Sequence, residues 1–327
     1  MRMKNKYCFG IDIGGTSIKA GLFQENGTLI QKYEIPTRKS EGGNVIFEDV
    51  ATFTQKVLAE HKLDIEDIIG IGMGVPGAVT DSGIVNKCIN LGWGVIDAAK
   101  IMQQKTGFPV KVGNDANMAA LGEYWKGGAC GYSSIMLITV GTGVGGGIII
   151  HGNPLNGYHG AAAEIGHLPV ALDAYDKGIL HSEDICNCGK RGCLEQVGSA
   201  TGIVRVAKRM LALSDMPSIL RCDNENDQDI TAKDVFDAAK KGDELAIQIA
   251  ECVSRYLGIA LACAAGVVDA ECFIVGGGVS AAGTYFTELI EKYYKQNAFH
   301  ASSDAKILAA KLGNDAGIYG AAKLILE

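Results

Sequence analysis

The sequence predicts an α/β protein of two domains, each opening on an antiparallel hairpin. Three observations predict it. The chain has 327 residues, about two domains at roughly 150 residues apiece. Strand patterns and amphipathic helix patterns alternate along it. One unit, a strand, a Gly/Thr-rich turn and a second strand, occurs at residues 7–23 and again at 134–150, which implies a duplicated architecture.

Residues 7–13 (Tyr-Cys-Phe-Gly-Ile-Asp-Ile) read as a buried strand ending in Gly14-Gly15. A second strand covers 18–23, and Asn26-Gly27 is a hairpin signal before a third at 28–35. Ile46, Val50, Phe53 and Val57 then recur at intervals of 4, 3 and 4, the stripe of an amphipathic helix. A strand (68–75), a helix (96–106), a short strand (109–112) and a helix (115–126) follow. The second half holds the 134–150 hairpin, a strand at 271–275 and helices near 197–213, 232–241, 243–266, 284–297 and 317–326. Thr231-Ala232-Lys233-Asp234 resembles a capping box with Asp in place of Glu. The polar stretch 214–230 reads as a surface insertion, too short for an interdomain linker.

Composition narrows the function classes. Apolar residues make up 47% and charged residues 20%, ordinary for a soluble globular protein. A net charge of −7 with no Lys/Arg run longer than two excludes the electrostatic footprint of a nucleic-acid binder. Glycine, at 44 of 327 residues, is near double its usual ~7%. No Gly-X-Y period accompanies it, so the glycines are expected at tight turns and where backbone approaches a ligand. Residues 127–163 lack Asp, Glu, Lys and Arg, but the run 141–147 (Gly-Thr-Gly-Val-Gly-Gly-Gly) makes a poor membrane-spanning helix. The apolar run near the N-terminus is cut short by Asp12, so no export signal is expected. Ten cysteines without such a signal argue for thiols or a metal site, not a disulfide framework. A cytoplasmic protein with no membrane partner is expected.

Several constellations carry chemistry. Asp12-Ile13-Gly14-Gly15-Thr16 joins two strands, unlike a Walker A loop or a dinucleotide fingerprint, both of which open a helix. Its glycines let backbone N–H groups face phosphate oxygens, the Thr16 hydroxyl can donate too, and Asp12 can hold hydrated Mg²⁺. The plain alternative is a Gly-Gly turn. The second turn, with Thr142 and Gly143, strengthens the phosphate reading, because two Gly/Thr hairpins gripping one polyphosphate is the arrangement of actin-like, hexokinase-like ATPases. Gly276-Gly277-Gly278 follows the last predicted strand and would admit a flat adenine or ribose.

Asn114-Asp115 sits between a short strand and a helix. Asp115 reads either as the helix N-cap, the commoner use of Asp there, or as a general base with Asn114 as a sugar-hydroxyl partner. His167 with Cys186, Cys188 and Cys193 forms the pattern His-x18-Cys-x-Cys-x4-Cys, which suits a closed, four-coordinate structural Zn²⁺. The other cysteines (8, 88, 130, 222, 252, 263 and 272) are scattered and read as core or incidental. Glu164 and Glu195 flank this pattern, and a metal there would bring both carboxylates to one locality, where they could accept sugar hydroxyls. Glu195 adjoins the cysteine loop and not a Gly-rich turn in sequence, so its influence is expected on sugar and not on ATP.

Together these residues resemble the ROK family of sugar kinases, and within it the bacterial ATP-dependent glucokinases. The resemblance runs over Asp12–Lys19, 74–77 (Gly-Val-Pro-Gly), 90–93 (Asn-Leu-Gly-Trp), Asn114–Glu123 and Thr139–Gly147. It continues through 164–167 (Glu-Ile-Gly-His), Cys186–Glu195 and Gly276–Ser280. It implies an actin-like (hexokinase/ribonuclease H-like) two-domain fold with the active site in the interdomain cleft. The implied domains are a small one at 1–117, completed by the C-terminal helix 311–327, and a large zinc-bearing one at 118–310. The implied reaction is ATP-dependent phosphorylation of glucose to glucose 6-phosphate.

By motif, Asp115 would be the base for the sugar's 6-hydroxyl, and Asn114, Asn90 and the Gly77 backbone would hold neighbouring hydroxyls. Glu164, His167 and Glu195 would read the anomeric end, with His167 ligating zinc through its other ring nitrogen. N-acetylmannosamine, fructose or allose kinases would share these motifs, and glucose is the hexose expected. A family repressor would carry an N-terminal DNA-binding domain, for which Asp12 comes too early, and the Gly turns with Asp115 disfavour a non-catalytic sugar sensor. A homo-oligomer, dimer or tetramer, is also implied.

Overall fold

The computed structural model describes residues 5–221 and 230–327; part of the polar stretch 214–230, and Cys222 with it, lies outside the described residues. Two compact units emerge. The first comprises Met1–Ser133, Gly147–Ala163 and Lys311–Glu327, and the second Ser134–Gly146 and Glu164–Ala310.

The first unit begins with β1 (Tyr7–Ile13), β2 (Ser17–Gln24), β3 (Leu29–Pro36) and α1 (Val45–His61). It continues with β4 (Ile68–Val75), the short pair β5 (Ile84–Val85) and β6 (Ile96–Asp97), α2 (Ala98–Thr106), β7 (Val110–Asn114) and α3 (Asp115–Lys126). Next come β8 (Ser134–Val140), β9 (Val144–Ile150), β10 (Asn153–Pro154), α4 (Asp173–Asp176), α5 (Glu195–Gly198), α6 (Ala200–Leu213), α7 (Ala232–Lys240) and α8 (Glu244–Val268). The chain ends with β11 (Cys272–Gly276), α9 (Thr284–Asn297), β12 (Lys306–Ala309) and α10 (Ala316–Leu326). The two main sheets run β3-β2-β1-β4-β7 and β10-β9-β8-β11-β12. Counted within each sheet, both orders are 3-2-1-4-5, so the duplication read from the two hairpins is a duplication of topology.

The period-2 alternation of β1 explains how the first unit packs. Phe9, Ile11 and Ile13 enter a core with α1, α2 and β4 residues, while Cys8 joins Ile318, Ala322 and Ile325 of α10. Positions 10 and 12 share the α10 side. A Cβ on Gly10 would lie 2.0 Å from the Ile318 carbonyl, and one on Gly72 of β4 would lie 1.7 Å from that of Ala321. The glycines let α10 lie directly on the strands, and Asp12 is enclosed by the same approach.

α3 packs on α10 through Gly122 and Gly320, each too close to the other helix for a side chain. The boundary expected at 117/118 would cut α3 three residues from its start; the helix belongs instead wholly to the first unit, because this face is glycine-packed. At its C-terminal end Glu123 is fully buried. Its carboxylate accepts from the backbone N–H groups of Gly128 (2.6 Å), Lys311 (3.0 Å) and Leu312 (2.7 Å), which fixes the chain entering α10.

In the second unit α8 is long and apolar enough to cross a membrane by length and composition, but half of its most apolar window is buried. Tyr256, Leu257 and Leu261 are fully buried, and α8 lies against α6, α7 and α9 as a core helix. The helix expected over 197–213 is broken in two. Ser199 is extended and its hydroxyl accepts from Gly202 N–H, capping α6 afresh.

Candidate active site

The first unit gathers Asp12, Gly14, Gly15, Thr16, Gly77, Asn114 and Asp115. After β1 the chain turns tightly, with Gly14 N–H donating to Ser17 C=O at 2.9 Å. A Cβ on Gly14 would lie 2.8 Å from that same oxygen, so the turn requires glycine. Lys39 Nζ stands 3.7 Å from where a Gly15 Cβ would be, a cation at the turn that the sequence reading missed. Asp12 pairs in register with Lys19 on β2 and Gly74 on β4. Burial pushes its carboxyl up to about 6, the Asp115 charge adds to the rise, and Lys19 opposes it. Two carboxylates within electrostatic reach of one another are expensive to ionise without a cation, which fits Asp12 to a hydrated Mg²⁺.

The start of α3 separates two roles that the sequence left open. Asn114 is extended (φ −65°, ψ 142°), and its Oδ1 accepts from Ala116 N–H (2.9 Å) and Asn117 N–H (3.1 Å). Asn114 is therefore the N-cap, and Asp115 is the first helical residue. The cap reading of Asp115 is corrected on this ground: the residue before it has the non-helical backbone a cap requires. Asp115 Oδ1 accepts from Ala116 N–H at 2.8 Å. Asn114 Nδ2 donates to Gly77 C=O at 3.0 Å, tying the cap to the loop after β4. Gly77 has φ +105°, and a Cβ there would meet Lys87 C=O at 2.7 Å. Asn90 is exposed on a turn whose neighbour Trp93 stacks on Phe47 (4.8 Å) and donates to Gly43 C=O.

The second unit holds the remaining groups. A cavity of about 490 Å³ is lined by Gly141, Thr142, Gly278 and, from α7, by Lys233, Phe236 and Asp237. Its size lies in the range of small-molecule sites. A Cβ on Gly141 or Gly278 would meet nothing within 4 Å, so their lack of side chains leaves open space facing the cavity. Gly276 is buried at the end of β11, and Gly277 (φ +83°) turns the chain there. The α7 residues were not foreseen. Their one signal, the Thr231 capping box, marks a helix start and says nothing of a ligand.

Glu195 corrects an expectation. It stands at the first position of α5, where its Oε2 accepts from Val144 N–H of the second Gly turn at 3.0 Å. A Cβ on Gly143 would lie 2.3 Å from that oxygen. The carboxylate thus supports the turn from which sequence distance had separated it.

His167, Cys186, Cys188 and Cys193 bring four donor atoms within 4.8 Å of one another. His167 Nδ1 and Cys186 Sγ are 3.6 Å apart, as are Cys188 Sγ and Cys193 Sγ. A tetrahedral zinc with Zn–S near 2.3 Å sets S–S edges of about 3.8 Å, so the donor set and spacing fit. Gly189 and Gly192, both at positive φ, make the turns between the cysteines. With Nδ1 on the sulfur side, His167 Nε2 faces Glu164 Oε2 at 3.9 Å, and that carboxylate is about half exposed.

Residues 8–327 match the ROK family. The chain belongs to the ROK family. It is 41% identical to a glucokinase from Halalkalibacterium halodurans over 99% of this chain and 96% of that one. A ROK family glucokinase from Streptomyces griseus, solved in complex with glucose and AMPPNP, is 33% identical with a TM-score of 0.73, covering 97% and 98% of the two chains. A ROK hexokinase from Thermus thermophilus is 30% identical with a TM-score of 0.75, covering 97% and 96%. The fold is the actin-like one that the motifs implied, its two sheets repeating one strand order.

Proposed function

We infer that this ROK protein is an ATP-dependent glucokinase, transferring the γ-phosphoryl group of MgATP to the 6-hydroxyl of glucose. The observation that carries the reading is the division of labour at α3, where Asn114 caps the helix and leaves the Asp115 carboxylate at its first turn, within electrostatic reach of the buried Asp12. Asp115 accepts the proton of the 6-hydroxyl as that oxygen attacks the γ-phosphorus and the bond to the β–γ bridging oxygen breaks, releasing ADP. Asp12 would hold the hydrated Mg²⁺ that accompanies the polyphosphate. Gly14, Gly15, Thr16, Thr142 and Gly143 offer N–H and hydroxyl donors to the phosphates, and Gly276, Gly277 and Gly278 admit the nucleoside. In-line phosphoryl transfer asks little else of a protein than positioning and charge neutralisation.

Asn90, Asn114 and the Gly77 backbone take the hydroxyls beside the reacting one. Glu164, His167 and Glu195 take those nearer the anomeric carbon. The His167-Cys186-Cys188-Cys193 set would hold a structural Zn²⁺, and with Nδ1 on the sulfur side His167 presents Nε2–H to the sugar. No disulfide joins the nine described cysteines, an arrangement in keeping with a reducing, cytoplasmic setting. We extend the reading to a homo-oligomer, which light scattering checks.

Purified protein assayed with MgATP against glucose, N-acetylmannosamine, fructose and allose tests the proposal. Glucose is expected to give the highest kcat/KM. A preference for another hexose by tenfold or more would replace glucose, and no transfer to any hexose would overturn the kinase reading.

A further inference from the structure

Asn117, two residues beyond Asp115, is 2% exposed. A buried amide must have its hydrogen bonds met, and the partners form a chain. Asn117 Oδ1 accepts from Ile148 N–H of β9 at 3.3 Å, and Asn117 Nδ2 donates to Asn156 Oδ1 at 2.9 Å. Asn156 Nδ2 in turn donates to Asp81 Oδ1 at 2.8 Å. The carboxylate sets the direction of the whole chain. An ionised Asp81 can only accept, so Asn156 must present its NH₂ there and its oxygen to Asn117.

Asp81 stands near the tip of a small hairpin. Gly83 N–H donates to Thr80 C=O at the tip (2.9 Å), and Asn86 N–H donates to Ala78 C=O near the base (2.9 Å). Gly77, whose carbonyl Asn114 holds, is the residue before that base. The hairpin is thus tied to the first turn of α3 at both ends: at its base by Asn114 and at its tip through Asn156 to Asn117. Asn86 Nδ2 donating to His159 C=O at 3.0 Å adds a third tie to the 151–163 loop.

We propose that Asn117, Asn156 and Asp81 are positioning residues that hold the 78–86 hairpin against α3 and so set how the sugar is gripped beside Asp115. The role of all three is exerted through the hairpin. The proposal rests on the glucokinase reading for its effect on sugar, but not for its effect on the hairpin.

The polarity of the chain supplies the test. Asn156→Asp puts a second carboxylate against Asp81, and the like charges repel. Adding Asp81→Asn restores a donor facing an acceptor with the wild-type number of charges, so Asp81→Asn/Asn156→Asp re-forms the chain. Groups coupled in one network deviate from additivity by amounts that correspond here to roughly tenfold. Asn156→Asp is expected to raise the glucose KM by roughly that factor and leave the MgATP KM within about twofold. The double variant is expected to return to within about threefold of wild type.

Amide hydrogen exchange of residues 78–86 is measured on the same three proteins. Faster exchange in Asn156→Asp with recovery in the double variant supports the relay, even if wild type phosphorylates no hexose and the kinase reading falls. Exchange that stays unchanged in Asn156→Asp, or a double variant as impaired as the single one, overturns the relay.

Discussion

The turn after β1 and the turn after β8 share glycine, threonine and the same place between strands one and two of equivalent sheets, but they sit on different carboxylates. Among the described residues the Asp12 carboxylate accepts no hydrogen bond, and burial with the Asp115 charge raises its pKa to about 6. Glu195 instead accepts the N–H of Val144 in its own turn. The first carboxylate therefore has negative charge to offer a cation, whereas the second spends part of its own on shaping a loop. One motif, repeated, has been put to two uses by what lies beneath it.

Four substitutions would break or sharpen that contrast. The largest effect is expected from Asp115→Asn. Folding should survive, because the cap is Asn114, while kcat falls by the ~10²–10⁴ usual for loss of a general base. A nearly fully active variant would move the base elsewhere. Cys188→Ala tests the second unit alone. Elemental analysis should find about one zinc per chain in wild type and none in the variant, with activity down about tenfold or more as His167 and Glu195 lose their support. A metal-free but fully active wild type would remove zinc from the account.

Glu195→Gln comes third. Losing a charge-assisted hydrogen bond costs roughly 1.5–3 kcal/mol, so the glucose KM should rise about tenfold or more. The bond to Val144 N–H predicts that the MgATP KM also moves, by about two- to threefold, with the second Gly turn. A rise confined to glucose would detach the carboxylate from the phosphate side.

The smallest effect concerns stability. Asp12 has a folded-state pKa near 6 against an ordinary 3.8, so between those values the folded chain binds more protons than the unfolded one. Stability from this group falls as pH rises through that window. Asp12→Asn should then gain on the order of 1 kcal/mol over wild type at pH 8 without Mg²⁺, a gain that vanishes below about pH 4. Thermal melts at the two pH values measure it; equal gains at both would mean that the carboxylate's charge is not the cause.

Much of this molecule was legible because its periodicities are long. The 4-3-4 stripe of α1 repeats enough times to exclude a strand, and the apolar run of β1 is bounded by a Gly-Gly turn. Two-residue strands such as β5 and β6 have no period to read. The break at Ser199 was hidden because apolar residues continue on both sides of it, Val197 before and Ile203 after. In the site, residue types were legible and partners were not. Adjacent Asn and Asp are equally good caps, and only the extended backbone of Asn114 decides between them. Glu195 lies close in sequence to the cysteines and far from Val144, and its position under the turn comes from the path of α5. The α7 wall of the cavity could not be read at all, since Lys, Phe and Asp on a helix carry no ligand signature.

The Glu123 clamp has a consequence of another kind. Its partners at positions 128, 311 and 312 are all main-chain N–H groups, so the clamp constrains the path of the backbone and is blind to side-chain identity. Lys311 and Leu312 can each be exchanged for other residues without touching it. Proline is the exception, having no N–H to give. The seating of α10 on the strand that carries Asp12 is in this sense encoded by one glutamate and by the absence of a single residue type from the segment facing it.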